Sequence, residues 1–337
     1  MRILFLASGH DDFLADGLFH GLRTLLGRDA IDLPRIDHLY ADHPPERRAR
    51  LHGLGFTLAG LLGDDRDVDR DRAAFRAVDG EYDLVVFADI WRNFGAWTQW
   101  MPPLRAAGVR MAVLDTSDRV EPYPYAGVWW RQRLWWTLPR VLRRAEHFKR
   151  EVTDWTGWFR SYLLVPGPVA RRTALTTALR PTAFSVPARL ITDGSSAKAK
   201  DWPSHVVDHE VAARVDARTT YAFADAGAYH ADLRASRFGV TTKKAGWDAL
   251  RHYEIAAAGA VPCFRDLDRK PARCAPFGLD ATNAIAYRDA DDLLCRVAAL
   301  DEGEYARLQA GALAWARGST TVVRARQFLA ACGLSGL

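Results

Sequence analysis

Four cysteines in 337 residues (Cys263, Cys274, Cys295 and Cys332) are too few and too scattered for a disulfide scaffold. No two form a C-x-x-C pair, and no Cys/His cluster has zinc spacing. Free thiols in a reducing, cytoplasmic setting are therefore expected, with no metal site and no bound cofactor. Lysine is also scarce. It supplies six of the 46 basic residues and arginine the rest, a bias that matches the richness in alanine and glycine and points to genome composition. No apolar run approaches the ~18 residues that a membrane-spanning helix needs. The apolar start, residues 1–7, is cut short by His10, Asp11 and Asp12, which is too soon for a secretory signal. The turn that follows, Ser8-Gly9-His10-Asp11, lacks G-x-G-x-x-G, which argues against a dinucleotide oxidoreductase. There is no short-period repeat and no low-complexity tract.

What is present is the composition of a soluble globular protein, 49% hydrophobic and 26% charged. The length suggests two domains at roughly 150 residues each. A net charge of +5 and a pI near 9.1 favour anionic ligands. The basic residues are spread along the chain without a reader motif, so nucleic-acid binding is not expected.

Short apolar runs at 2–7, 30–33, 56–61, 84–88 and 111–114 read as strands, separated by charged or helical stretches. Phe13, Leu14, Leu18, Leu22, Leu25 and Leu26 have helical spacing, with Gly27 as the stop. Around 127–160 this rhythm breaks, with Trp129, Trp130, Trp135, Trp136, Trp155 and Trp158 among many arginines. A second alternation follows, with strands at 220–223, 238–242, 260–264 and 284–287 and helices at 247–258, 289–300, 302–316 and 321–331. Strands alternating with helices imply parallel sheets. The expected architecture is α/β, two Rossmann-like, doubly wound domains (1–170 and 171–337) facing a cleft. In such sheets ligands sit beyond the carboxyl ends of strands, which singles out the loops 8–12, 88–93, 115–118 and 242–247.

The most informative segment is 236–262. A strand ends in Lys243-Lys244-Ala245-Gly246, a helix begins near Trp247, and Gly259 stops it before the next strand. Cations at a helix N-terminus, beside its free N–H groups, suit a diphosphate. Positions 247, 251, 254 and 258 share one helical face, so Arg251 and Glu254 are neighbours. Glu254 can accept two ribose hydroxyls, and Arg251 can reach a phosphate. The competing reading is a surface ion pair beside a solvated turn. Trp247 can stack on a sugar or base, or belong to the core.

Ser236-Arg237-Phe238-Gly239 followed by Arg251-His252-Tyr253-Glu254-Ile255-Ala256-Ala257-Ala258-Gly259-Ala260-Val261-Pro262 resembles the donor-binding core of GT-B glycosyltransferases, of the exostosin-like and group 1 patterns. The likeness spans about residues 219–290. It implies sugar transfer from a nucleoside-diphosphate donor to an acceptor hydroxyl (a glycan, lipid or small molecule), without a bound metal. It makes Glu254 the ribose residue and Lys243, Lys244 and Arg251 the diphosphate partners, with Ser236, Gly246 and Trp247 in the donor segment. Many retaining members carry a second Glu eight positions earlier. Gly246 stands there, which leaves retention or inversion open. Asp266-Leu267-Asp268 matches the Asp-x-Asp metal motif of another glycosyltransferase fold by spelling only.

A general base for the acceptor is expected in the first half, where His10 and Asp11 follow the first strand. Asp12 is expected to cap the following helix, and Asp89 and Asp118 to be turn or cap residues. His20 reads as a packed histidine. The Trp/Arg stretch can pack internally, contact an acceptor, lie on the inner membrane surface as a peripheral anchor, or form a subunit contact. A non-catalytic nucleotide- or sugar-binding protein and a membrane-surface protein are the rival functions.

Overall fold

The computed structural model describes residues 1–119, 145–153, 179–194, 197–220 and 223–334. The first domain opens with β1 (Ile3–Leu6), fully buried, then α1 (Phe13–Leu26) and β2 (Ala30–Leu33). Asp12 caps α1 by accepting the N–H groups of Leu14 and Ala15, and Gly27 ends it at φ 57°. There follow the one-turn α2 (Pro45–Arg48), α3 (Arg70–Val78), β3 (Leu84–Phe87), α4 (Phe94–Ala106), β4 (Arg110–Asp115), β5 (Glu146–Lys149) and β6 (Leu179–Pro181). The strands pair in parallel in the order β2-β1-β3-β4-β5-β6. Their side chains alternate between two cores. Ile3, Phe5, Leu84 and Val86 meet α1, while Leu4, Leu6, Val85 and Phe87 meet α3 and α4. Burial on both faces explains why these strands read as unbroken apolar runs.

The second domain contains α5 (His209–Arg214), α6 (Ala226–Ala235), β7 (Phe238–Thr241), α7 (Leu250–Ala257), β8 (Val261–Arg265), β9 (Ile285–Tyr287), α8 (Ala290–Ala298) and α9 (Glu302–Arg317). Its sheet is parallel, β7-β8-β9. The last helix, α10 (Thr321–Ala331), leaves this domain and packs on α1. The two chain segments that join the domains pair with each other. Val186 N–H donates to Ser319 O at 3.2 Å, and Thr321 N–H to Val186 O at 3.0 Å. Small residues make this junction possible. A Cβ on Gly21 would stand 2.0 Å from Thr321 O, and one on Gly17 would stand 3.0 Å from Ser185 Oγ. His20 Nδ1 lies 2.9 Å from Thr321 Oγ1 in the same seam, the packed role expected for it.

The two parallel α/β domains are those expected. Three local readings change. Residues 56–60 form turns, with one bridge between Tyr40 and Leu62, because Phe56 packs against the second domain, Leu58 and Leu61 pack into the main core, and Gly55 and Gly60 have positive φ. The helix expected from 247 begins at Leu250. The first sheet also continues past residue 170, to Pro181, and regains the chain's last helix. The boundary at 170/171 and the tryptophans at 129–158 lie outside the described residues, as do two positions of the strand expected at 220–223. Among the described residues no helix is long and apolar enough to cross a membrane.

One buried group in the first sheet is titratable and unserved. His147 on β5 is 1% exposed, and among the described residues neither ring nitrogen has a hydrogen-bond partner. Burial pushes its pKa down to about 4, against the pull of Asp115. The folded value lies below the unfolded one, so nothing is lost above pH ~6.5. As pH falls from there, the unfolded chain takes up a proton that the fold refuses. At pH 5 this costs about 2 kcal/mol, at roughly 1.4 kcal/mol per pH unit. His147→Phe is therefore expected to lose less stability than wild type between pH 7 and pH 5 in urea titrations. Gly21→Ala should lose about 3 kcal/mol at any pH by forcing α10 off α1, read as a lower urea midpoint with early proteolysis of the C-terminal helix.

Candidate active site

A cleft of about 950 Å³ lies where the carboxyl ends of β1, β3 and β4 face the end of β7 and the start of α7. The four singled-out loops all reach it, through Asp11 and Asp12, Asp89 and Arg92, Thr116 to Asp118, and Lys244 to Gly246. From the second domain Arg251 and Glu254 join them. β1 lies between β2 and β3, so successive connections run to opposite sides of it, and the crevice opens at that reversal.

Glu254 is buried at 8% exposure on the inner face of α7. Its Oε2 accepts the Tyr229 hydroxyl at 2.6 Å, and its Oε1 accepts the Thr57 hydroxyl from the first domain. Arg251, one turn earlier, donates from Nη2 to His205 Nδ1 at 2.9 Å. An arginine only donates, so Nδ1 is the acceptor and Nε2 carries the hydrogen, pointing to Thr219 O at 3.3 Å. Burial and Arg251 together push the His205 pKa down to about 4. Lys244 stands exposed at the rim of the cleft. Desolvation there and then Arg251 lower its pKa, while Glu254 raises it. Helix α7 starts at Leu250 with no side-chain cap from its N-cap Ala249, and Ala249, Leu250 and Arg251 line the cleft beside these cations.

Gly246 is buried where the two domains meet. A Cβ there would stand 2.4 Å from Glu151 Oε1 and 3.0 Å from Asp118 Oδ1. Both carboxylates belong to a polar floor. Glu151 Oε1 accepts Asp248 N–H at 3.1 Å, and Asp118 accepts from Arg150. Arg150 also donates to Asp248 O at 2.7 Å and lies 4.3 Å from the Phe184 ring centroid. Asp248 accepts Phe184 N–H and the Tyr253 hydroxyl, each at 2.8 Å, and burial holds its pKa up at about 6.

Four expected site residues lie off the cleft lining. Lys243 is exposed, its Nζ 5.0 Å from the centroid of the Trp247 ring. Trp247 packs on Phe264, centroids 6.2 Å apart, among Leu267 and Leu279, which is the core reading. Ser236 is fully buried and donates to Asp232 O at 2.7 Å, closing α6. His10 is exposed beyond the loop that lines the cleft. Asp11 does line it and accepts the His52 N–H at 2.7 Å. Asp12 lines it too, but its carboxylate is held by the α1 N–H groups and Thr116, with burial pushing its pKa up to about 6. Asp89 is a turn residue at φ 44°, paired with Arg92 at 2.7 Å. Among the described residues no three His, Cys, Asp or Glu side chains gather as a metal site.

Thr57, Arg150, Glu151 and His205 are absent from the sequence reading. Each lies far along the chain from the residue it serves, and none carries a motif.

No protein-family model matches the sequence, and no curated protein does. Solved structures do match along nearly the whole chain. The Anabaena protein HepE in complex with UDP-glucose superposes with a TM-score of 0.54 at 10% identity, over 99% of each chain. A glycosyltransferase from Rickettsia africae gives 0.55 at 8% identity, over 98% of this chain and 97% of that one. The chain has the GT-B fold. Sucrose-phosphate synthase from Thermosynechococcus elongatus shares it, with a TM-score of 0.51 at 12% identity over 97% of both chains. In a GT-B architecture the interdomain cleft is the concave site that both domains build, and the cleft described above occupies that place.

The floor of the cleft has no slack at Gly246. Gly246→Ala is expected to cost about 1–3 kcal/mol by pushing Glu151 from the Asp248 N–H. Urea denaturation checks this, and an unchanged midpoint would show that the floor yields.

Proposed function

We propose that this chain is a glycosyltransferase that moves a sugar from a nucleoside-diphosphate donor to an acceptor hydroxyl, without a resident metal. The observation that carries the reading is the buried Glu254 carboxylate set one helical turn from Arg251, at the start of α7, with Lys244 at the rim of the same cleft. The fold likeness supports it, since HepE holds UDP-glucose in its crystal structure.

The chemistry follows from charge. A bond forms between the acceptor oxygen and the anomeric carbon while the bond from that carbon to the diphosphate breaks. The departing electron pair settles on the diphosphate, where negative charge must be stabilised. Arg251, Lys244 and the N-terminus of α7, which has no side-chain cap, supply positive potential there. Neutral His205 orients Arg251 without competing for the anion. The acceptor proton passes to a carboxylate on the facing wall. Asp11 suits this role better than Asp12, whose carboxylate is already engaged as a helix cap.

Calorimetry with UDP, ADP, GDP and dTDP tests the donor site. Wild type is expected to bind one of them, with Glu254→Ala and Arg251→Ala each weakening it about tenfold or more. Equal affinity in Glu254→Ala would remove Glu254 from the ribose. Turnover of the matching sugar nucleotide then separates an enzyme from a non-catalytic nucleotide-binding protein of the same fold. Loss of turnover in Asp11→Asn with donor affinity kept is the result expected for the base.

A further inference from the structure

Glu254 is held from both sides of the cleft. Tyr229 donates to one oxygen at 2.6 Å and Thr57 donates to the other, and all three side chains are buried. A ribose diol reaching this carboxylate needs both oxygens, so each protein hydroxyl stands beside or in the place of a ligand hydroxyl.

The two donors differ in what they are attached to. Tyr229 sits on α6, in the same domain as Glu254, and the Arg251 guanidinium lies 5.8 Å from its ring centroid. Phe223 packs on its ring as well, at 5.6 Å. Tyr229 therefore moves with Glu254 and Arg251 as one body. Thr57 belongs to the first domain. Its loop holds positive φ at Gly53, Leu54, Gly55 and Gly60, and the left-handed conformation is costly for leucine. Contacts across the cleft fix this loop. The Phe56 ring meets Tyr229 at 5.7 Å, and Phe56 O lies 3.3 Å from His230 Nε2.

A carboxylate oxygen has two lone pairs, so Oε2 can accept Tyr229 and a ribose hydroxyl together. Oε1 has the same capacity, but the Thr57 hydroxyl meets it on the cleft side, since Thr57 lines the cleft with Glu254 whereas Tyr229 is not among the lining residues. We propose that Tyr229 is a positioning residue that fixes Glu254 beside Arg251 for the donor ribose, and that Thr57 is its cross-domain competitor, displaced from Oε1 when the ribose binds. The inference rests on the donor role proposed for Glu254. It makes the cleft self-latched: the same carboxylate that receives the nucleotide also holds the facing domain.

Removing the two hydroxyls should then have opposite effects. The measurement is calorimetry on the full chain with wild type, Thr57→Val and Tyr229→Phe. The probes are the nucleoside diphosphate that binds wild type best and inorganic pyrophosphate, which has no ribose. Thr57→Val is expected to bind the nucleotide about fivefold more tightly and Tyr229→Phe about fivefold more weakly, with pyrophosphate unchanged in all three. Unchanged nucleotide affinity in both variants, shifts of the same sign, or an equal shift for pyrophosphate overturns the proposal. If Tyr229→Phe fails to fold, Thr57→Val still decides, since no tightening sinks the competition. Wild type that binds no nucleoside diphosphate at all defeats the donor reading itself, and this inference with it.

Discussion

The architecture turns on a pair of backbone hydrogen bonds. Val186 runs beside Thr320, so the segment that enters the second domain and the segment that leaves it are joined at one spot. Gly21 on α1 lets that pair approach to a distance no side chain would allow, and Gly17 leaves room for the adjacent Ser185 hydroxyl. The seam then continues into a shared core. Leu250, Tyr253 and Ala257 of α7 lie in the same apolar cluster as Phe5, Leu18 and Phe328. The helix that presents Glu254 is thus anchored in the first domain's core on one side while facing the cleft on another. Its polar residues are placed by that anchoring as much as by their own bonds.

Both walls of the cleft carry mixed charge. Asp11, Asp12, Asp89 and Asp118 stand with Arg92, Arg119 and Arg150 on the first, and Lys244 and Arg251 stand with Asp248 and Glu254 on the second. The floor between the walls is closed by Arg150, Glu151 and Asp248, whose bonds cross the domain boundary. These buried groups are costly to desolvate. Each has a backbone partner, which offsets that cost, although Arg150 Nε has none among the described residues.

Much of this was legible in the residues. Every strand of the parallel sheets within the described residues coincides with a short apolar run except the brief β5 and β6, and Asp12, Gly27 and Asp289 mark helix ends as their chemistry dictates. The segment 236–262 announced the convergence of Lys244, Gly246, Arg251 and Glu254 on one cleft, because strand, turn and helix are local patterns. What stayed hidden is what crosses domains. Residues 56–61 look like a strand because they are apolar, yet Phe56 turns to the facing domain while Leu58 and Leu61 pack into the main core. His205, Thr57 and Arg150 act on partners far away in sequence, and no periodicity records such pairs. Lys243 and Trp247 show the opposite failure. Adjacent residues on a turn point to different places, and composition cannot say which of two lysines faces the cavity.

The joined crossing has one more consequence. Between Val186 and Thr320 the second domain is a continuous stretch of chain whose two ends meet. It is in effect a cassette plugged into a single socket on the first domain. Exchanging it for a related domain would mean matching the two short junctions and also the face of α7 that shares the first domain's core.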